Sequence, residues 1–112
     1  MKKILVILVL CLIICGCGNS SKKNNLEKIM KEKEYIIVDV RTKEEYEQLH
    51  VKGSINIPYD EIDENIDLDK EKNIFVYCKS GNRSSIAYNA LDRLGYNVYD
   101  LGGISEIDLP KE

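Results

Sequence analysis

Two apolar runs in the middle of the chain constrain its fold more than any other feature. Residues 35–40 and 73–77 are rich in β-branched and aromatic side chains and do not alternate between polar and apolar positions. Strands buried on both faces have this composition, and they occur mainly in parallel sheets. The two runs therefore predict a parallel sheet that is covered on both sides.

Helical patterns and turn signals surround these runs. In chain order, the predicted elements are a helix from Leu26, the strand 35–40, a helix from a capping box at Thr42 and Glu45 to about Leu49, a short strand over 54–57, one helical turn from Ile62 to Leu68, the strand 73–77, a helix over 84–94 and a strand over 96–101. Strands that alternate with helices predict a three-layer α/β fold, with a central, mainly parallel sheet flanked by helices on both faces.

The N-terminus differs from the rest of the chain. Lys2 and Lys3 precede eleven unbroken apolar residues, from Ile4 to Ile14. A membrane-spanning helix needs about 20 such residues, so the stretch is typical of a secretory signal. An ordinary cleaved signal and an uncleaved anchor are the alternatives to the more specific interpretation that the next residues suggest.

The residues that follow, Ile14-Cys15-Gly16-Cys17, resemble the lipobox of bacterial lipoproteins. The resemblance implies cleavage before Cys17 and a lipid on its sulfur. We therefore expect a signal peptide over residues 1–16, a lipidated Cys17 with a polar, flexible tether over 17–25, and a folded domain over 26–112. The expected location is the outer face of the cytoplasmic membrane, or another cell-envelope membrane, with the lipid as the anchor.

The cysteine count singles out Cys78. The chain has four cysteines, and three of them lie within the first 17 residues. Once the signal is removed and Cys17 is lipidated, Cys78 is the single thiol left in an exported protein, which indicates a reactive group. One histidine and one free cysteine cannot form a closed set of ligands, so no metal site is expected.

The sequence around Cys78 predicts a binding site for an anion. Lys79-Ser80-Gly81-Asn82-Arg83-Ser84 forms a short turn between a strand end and a helix start, at the carboxyl edge of the sheet where ligands bind in this architecture. Backbone N–H groups of such a turn can point at one centre, and the helix N-terminus adds its positive end. A sulfur held there is favoured as thiolate.

Four stretches in a fixed order resemble the single-domain rhodaneses, which are sulfurtransferases. They are Val38-Asp39-Val40-Arg41 with Glu44-Glu45-Tyr46, the segment 50–58, the loop 78–84, and Leu94-Gly95-Tyr96 through Gly102-Gly103. The resemblance covers nearly all of residues 26–112. Members commonly have a tryptophan in a final helix after the double glycine. This chain has no tryptophan, so we expect that helix to be short or missing.

The resemblance implies a mechanism and a set of site residues. Cys78 would attack the outer sulfur of a donor such as thiosulfate or polysulfide, hold it as a persulfide, and pass it to a thiol or cyanide-like acceptor. Residues 79–84 (Lys79, Ser80, Gly81, Asn82, Arg83 and Ser84) would bind the substrate, and no cofactor is implied. Related phosphatases and arsenate reductases have five residues between cysteine and arginine, whereas four separate Cys78 from Arg83. The shorter loop suits a sulfur atom.

Several roles stay open at the level of sequence. Arg83 either binds the donor or pairs with Glu44 or Glu45, and Lys79 is either solvated or attracts the donor. Asp39 and Arg41 are expected to form a structural polar network near the site. The single histidine, His50, is expected to make hydrogen bonds rather than act as a base.

The functional prediction is a membrane-tethered sulfurtransferase. A non-catalytic rhodanese-like docking or regulatory module and a thiol-redox protein are the alternatives. The net charge of −3 and the lack of clustered basic residues argue against a nucleic-acid partner. The oligomeric state stays open.

Overall fold

The computed structural model describes residues 26–112. The predicted signal peptide, the lipidated Cys17 and the tether lie outside the described residues. Residues 26–32 are helical (α1), as their apolar spacing predicts. Within residues 26–112, no helix is both long and apolar enough to cross a membrane.

The rest of the described chain forms an α/β unit. Its elements are β1 (Tyr35–Asp39), α2 (Lys43–Gln48), β2 (Ile55–Asn56), a 3₁₀ turn (Tyr59–Glu61), β3 (Asn73–Cys78), α3 (Asn82–Arg93), β4 (Val98–Gly103) and a second 3₁₀ turn (Ile104–Glu106). The capping box at the start of α2 is present, with the Glu45 N–H donating to Thr42 Oγ1 at 3.2 Å.

All four strands are parallel, and their order across the sheet is β2-β1-β3-β4. From β1 the chain crosses outward to β2, and from β3 it crosses in the opposite direction to β4. Right-handed crossovers in opposite directions place their helices on opposite faces of the sheet. The predicted parallel α/β class is therefore confirmed, and the crevice between β1 and β3 is the switch point at which such sheets bind ligands.

The core on one face of the sheet is formed mainly by β3 and α3. All six residues of β3 are buried, and Ala87 and Leu91 of α3 pack against Ile74, Val76 and Cys78. Ala90 and Leu94, also predicted to face inward, are partly buried. Full burial of a central strand explains the apolar run without alternation that the sequence shows.

Three predicted elements differ from the structure by two residues or more. The prediction of a helical turn from Ile62 to Leu68 is wrong, because the turn lies at Tyr59–Glu61, directly after Pro58. The three apolar side chains Ile62, Ile66 and Leu68 pack on the core without a helix. Helix α3 begins two residues early, at Asn82. Strand β4 begins at Val98 because the Tyr96 N–H is used by the end of α3, where it donates to the Leu91 carbonyl.

Candidate active site

The loop after β3 turns the chain sharply from a strand into a helix. Strand β3 ends at Cys78, and α3 starts at Asn82 after only three residues. Gly81 occupies the N-cap position with φ +99° and ψ −13°, a left-handed conformation that side chains with a Cβ disfavour. This turn places the Cys78 sulfur beneath the first turn of α3.

Polar groups converge on the Cys78 sulfur. The Gly81 N–H donates to Sγ at 2.9 Å, and Ser84 Oγ lies 3.4 Å from Sγ. The Ser84 hydroxyl also lies 3.1 Å from the Gly81 carbonyl oxygen, to which it can donate. When the sulfur is a thiol it donates to Ser84, and when it is a thiolate the Ser84 hydroxyl can turn and donate to it.

These contacts change the acidity of the thiol. Burial raises the pKa of Cys78, but hydrogen bonds from the Ser84 side chain and from the backbone of Ser84, Gly81 and Ser80 outweigh burial. The net pKa is therefore lowered, because each of these groups stabilises the anion more than the neutral thiol. The loop makes the sulfur a better nucleophile near neutral pH.

Access to the sulfur is restricted. Cys78 is 0 % exposed, whereas the loop residues Lys79, Ser80 and Asn82 that cover it are exposed. Among the described residues, the Lys79 ammonium makes no hydrogen bond or ion pair. A small molecule therefore reaches Sγ only when this exposed part of the loop moves.

Arg83 pairs with Glu45 in this structure. Its Nη1 and Nη2 atoms donate to the two carboxylate oxygens of Glu45 at 2.7 and 3.0 Å. The hydrogen bond from Arg83 is the main reason that the pKa of Glu45 falls to about 2, and the same bond raises the pKa of Arg83. Of the two alternatives left open by the sequence, the geometry shows the ion pair, which joins the first turns of α2 and α3.

Asp39 and Arg41 form a closed pair at the end of β1. Arg41 Nε lies 2.9 and 3.0 Å from the two oxygens of Asp39, and Nη2 lies 2.6 Å from Oδ2. Asn56 then donates to the carbonyl oxygens of both residues. Because Asp39 is 0 % and Arg41 6 % exposed, the pair holds the connection after β1 in place and neither residue contacts Cys78.

His50 lies in a hydrogen-bonded stack away from the loop. Its ring stacks on Tyr46 with centroids 3.9 Å apart, and Nδ1 lies 2.8 Å from the Tyr46 carbonyl oxygen. Nε2 lies 3.4 Å from a Glu112 carboxylate oxygen. The ring therefore has partners at both nitrogens and does not approach Cys78.

The end of β4 packs behind the loop, a role that the sequence alone did not predict. Val76 pairs with Asp100, but Cys78 pairs with Gly103, so β4 has one additional residue in this interval and bulges. A Cβ on Gly103 would lie 2.6 Å from the Lys79 carbonyl oxygen. The double glycine in the sequence was the available signal, because such a close approach of two backbones excludes a side chain.

Comparison with known proteins places this geometry in a family. A family model described as the rhodanese-like domain matches residues 22–108. The chain belongs to the rhodanese-like family. The predicted rhodanese-like fold is confirmed as well: the structure described as a rhodanese with anions from E. coli has a TM-score of 0.64 and 37% sequence identity, over 70% of this chain and 96% of that one.

Curated rhodanese relatives include named sulfurtransferases. Thiosulfate sulfurtransferase PspE from Escherichia coli (strain K12) is 42% identical over 78 residues, which are 66% of this chain and 75% of that protein. Adenylyltransferase and sulfurtransferase uba4 from Ogataea parapolymorpha is 36% identical over 86 residues, but this chain spans only 22% of its length. These likenesses support sulfur transfer as the general activity of the rhodanese domain described here.

Proposed function

We propose that this protein is a rhodanese-type sulfurtransferase that carries sulfane sulfur as a persulfide on Cys78. The observation that carries the proposal is the convergence of the loop amides and the Ser84 hydroxyl on Sγ, which lowers the pKa of the thiol. A docking module without chemistry has no need for a stabilised thiolate. A donor such as thiosulfate or polysulfide and a thiol or cyanide-like acceptor complete the reaction.

The reaction consists of two displacements. In the first, the Cys78 thiolate attacks the outer sulfur of thiosulfate, a sulfur–sulfur bond forms, and the bond to the sulfonate breaks to release sulfite. In the second, an acceptor such as cyanide attacks the outer sulfur of the persulfide, and the Cys78 thiolate leaves. The same hydrogen bonds that stabilise the starting thiolate stabilise it as a leaving group.

Burial of Cys78 adds a conformational step. The donor must displace part of the exposed loop around Lys79 and Ser80, and closure then shields the persulfide from water and from unrelated thiols. Loops with few buried contacts open at low cost relative to global unfolding. Small donors and acceptors are favoured by this arrangement.

The proposal includes the location of the protein. Lipid on Cys17 would hold the domain at the outer face of the cytoplasmic membrane, or at another envelope membrane, and the tether 17–25 would let it reach donors and acceptors there. The lipobox-like residues 14–17 support this part of the proposal.

One mass-spectrometry experiment tests both parts. Full-length protein is purified from the membranes of its native cells, treated with thiosulfate, and compared with a Cys78→Ser variant. We expect a diacylglycerol group on Cys17 in both proteins, one additional sulfur atom only when Cys78 is present, and release of thiocyanate when cyanide is added. If several donors leave no additional sulfur on Cys78, the catalytic proposal is wrong, and an unmodified Cys17 contradicts the anchor.

A further inference from the structure

The charges around the loop of residues 78–84, here called the sulfur loop, are nearly balanced, although the sequence places two cations there. Arg83 uses both terminal nitrogens on Glu45, and the side chains of this pair are 26 % and 27 % exposed. Glu45 thus compensates much of the positive charge of Arg83 at the first turn of α3. Among residues 26–112, Lys79 is the loop cation that has no acidic partner.

Carboxylates lie on the other side of the same loop. A Cβ on Gly102 would lie 3.2 Å from a Glu106 carboxylate oxygen, and Asp100 Oδ1 accepts from the Gly102 N–H at 2.9 Å. Gly102 in turn backs the loop, since its Cα would lie 3.9 Å from a Cβ on Gly81. An approaching anion therefore meets amide dipoles, one lysine and neighbouring negative charge.

We propose that Glu45 is a positioning residue that sets the charge of the donor: by holding Arg83, it makes the loop select sulfane-sulfur donors with one negative charge over dianionic thiosulfate. This inference rests on the proposed sulfur transfer through Cys78. Coulomb repulsion and desolvation cost more for a dianion than for a monoanion at a site with little net positive charge. Cys78 also raises the pKa of Arg83 through their opposite charges, so release of Arg83 from Glu45 would add attraction where the donor binds.

Two donors of similar shape isolate the effect of charge. Methanethiosulfonate has a methyl group in place of one oxygen of thiosulfate and carries one negative charge instead of two. The thiolate attacks its outer sulfur, the sulfur–sulfur bond of the donor breaks, and methanesulfinate leaves, so the same Cys78 persulfide forms from either donor.

The experiment measures kcat and KM for both donors with the wild type and with Glu45→Gln. Glutamine at this position retains the capping box of α2, and the matched control Glu44→Gln removes the same charge from an exposed neighbour that has no partner among the described residues. We expect Glu45→Gln to increase the preference for thiosulfate by about tenfold, the equivalent of one hydrogen bond to a charged group, mainly through a lower KM. Glu44→Gln leaves the ratio within about twofold of the wild type.

A double variant separates specificity from general damage to the site. Glu45→Gln with Arg83→Gln removes both charges, and we expect it to restore the wild-type ratio of the two donors. Equal ratios in Glu45→Gln and Glu44→Gln, with persulfide still formed, overturn this inference and leave the proposed function standing. Absence of persulfide from either donor in the wild type overturns both.

Discussion

The Ser84 hydroxyl faces two partners in the loop, and it can donate its single proton to only one of them at a time. It lies 3.1 Å from the Gly81 carbonyl oxygen and 3.4 Å from the Cys78 sulfur. Loss of the thiol proton makes the sulfur the stronger acceptor, so the hydroxyl turns toward it. Ser84 thereby couples the charge of the sulfur to the conformation of the loop.

Replacement of Ser84 tests this coupling. We expect Ser84→Ala to slow alkylation of Cys78 by iodoacetamide about tenfold at pH 7, the equivalent of one hydrogen bond to a charged group. Because the folded protein lowers the pKa of Cys78, alkylation of the wild type should stay fast at a lower pH than alkylation of an ordinary thiol does. The alkylation rate of Ser84→Ala should fall at a higher pH than that of the wild type. The exposed neighbour Ser85→Ala is the control, and equal pH profiles for the two variants would contradict the prediction.

Strand β4 packs against the sulfur loop, and the bulge in β4 fixes the position of the loop relative to the end of β3. The additional residue between Asp100 and Gly103 brings Gly103 opposite Cys78 and against the Lys79 carbonyl group. Bulges next to active sites commonly redirect a local segment in this way. The geometry around Cys78 thus depends on an element that contributes no side chain to the sulfur.

Gly103→Ala is expected to impair sulfur transfer more than stability. The new Cβ would lie 2.6 Å from the Lys79 carbonyl oxygen, so the loop must shift. A displacement of about 1 Å can cost up to about 100-fold in rate, and we expect a loss between about tenfold and 100-fold in kcat/KM. Gly53→Ala is the control: it strains a residue at φ +83° that has open space around it, and it should lower the melting temperature without changing transfer. Unchanged activity in Gly103→Ala would show that the loop tolerates displacement.

At the largest scale, the α/β unit over residues 33–112 has the fully buried strand β3 at its centre, between β1 and β4, with α3 packed on it. The site lies at the edge of the sheet where the crossovers from β1 and β3 leave in opposite directions. The rigid core therefore fixes the start and end of the loop, whereas the loop itself stays exposed. Leu91 carries much of this packing and is 0 % exposed. Stability of the site is therefore a property of the core as a whole.

Two substitutions in α3 test whether stability depends on the packing of its buried face on the sheet. We expect Leu91→Ala to lower the free energy of unfolding by about 2–5 kcal/mol, because it leaves a cavity between α3 and the sheet. Ile86→Ala, at a position 53 % exposed, should change it by no more than about 0.5 kcal/mol. Urea denaturation measures both, and similar losses for the two would mean that α3 packs on the sheet differently from the arrangement seen here.

Local patterns predicted most of the elements because their causes are local. The apolar runs gave β1 and β3, the capping box gave the start of α2, and the strand–glycine–helix turn placed Cys78 at the carboxyl edge of the sheet. The turn expected from Ile62 to Leu68 failed because those side chains are held by contacts with distant core residues rather than by a helical backbone. The final helix, expected to be short or missing, is a single 3₁₀ turn at Ile104–Glu106.

The sequence by itself determined the class of fold, the family and the candidate nucleophile, since strand composition, turn residues and the order of motifs can all be read from the sequence. Only the tertiary structure decided that Arg83 pairs with Glu45, that Gly103 supports Lys79 and that Cys78 is sealed beneath the loop. The two contacts join residues that are far apart in sequence, and their geometry depends on strand register and helix placement, as does the burial of Cys78. The choice of partner for a charge, and hence the charge that a donor meets, is a property of the folded protein.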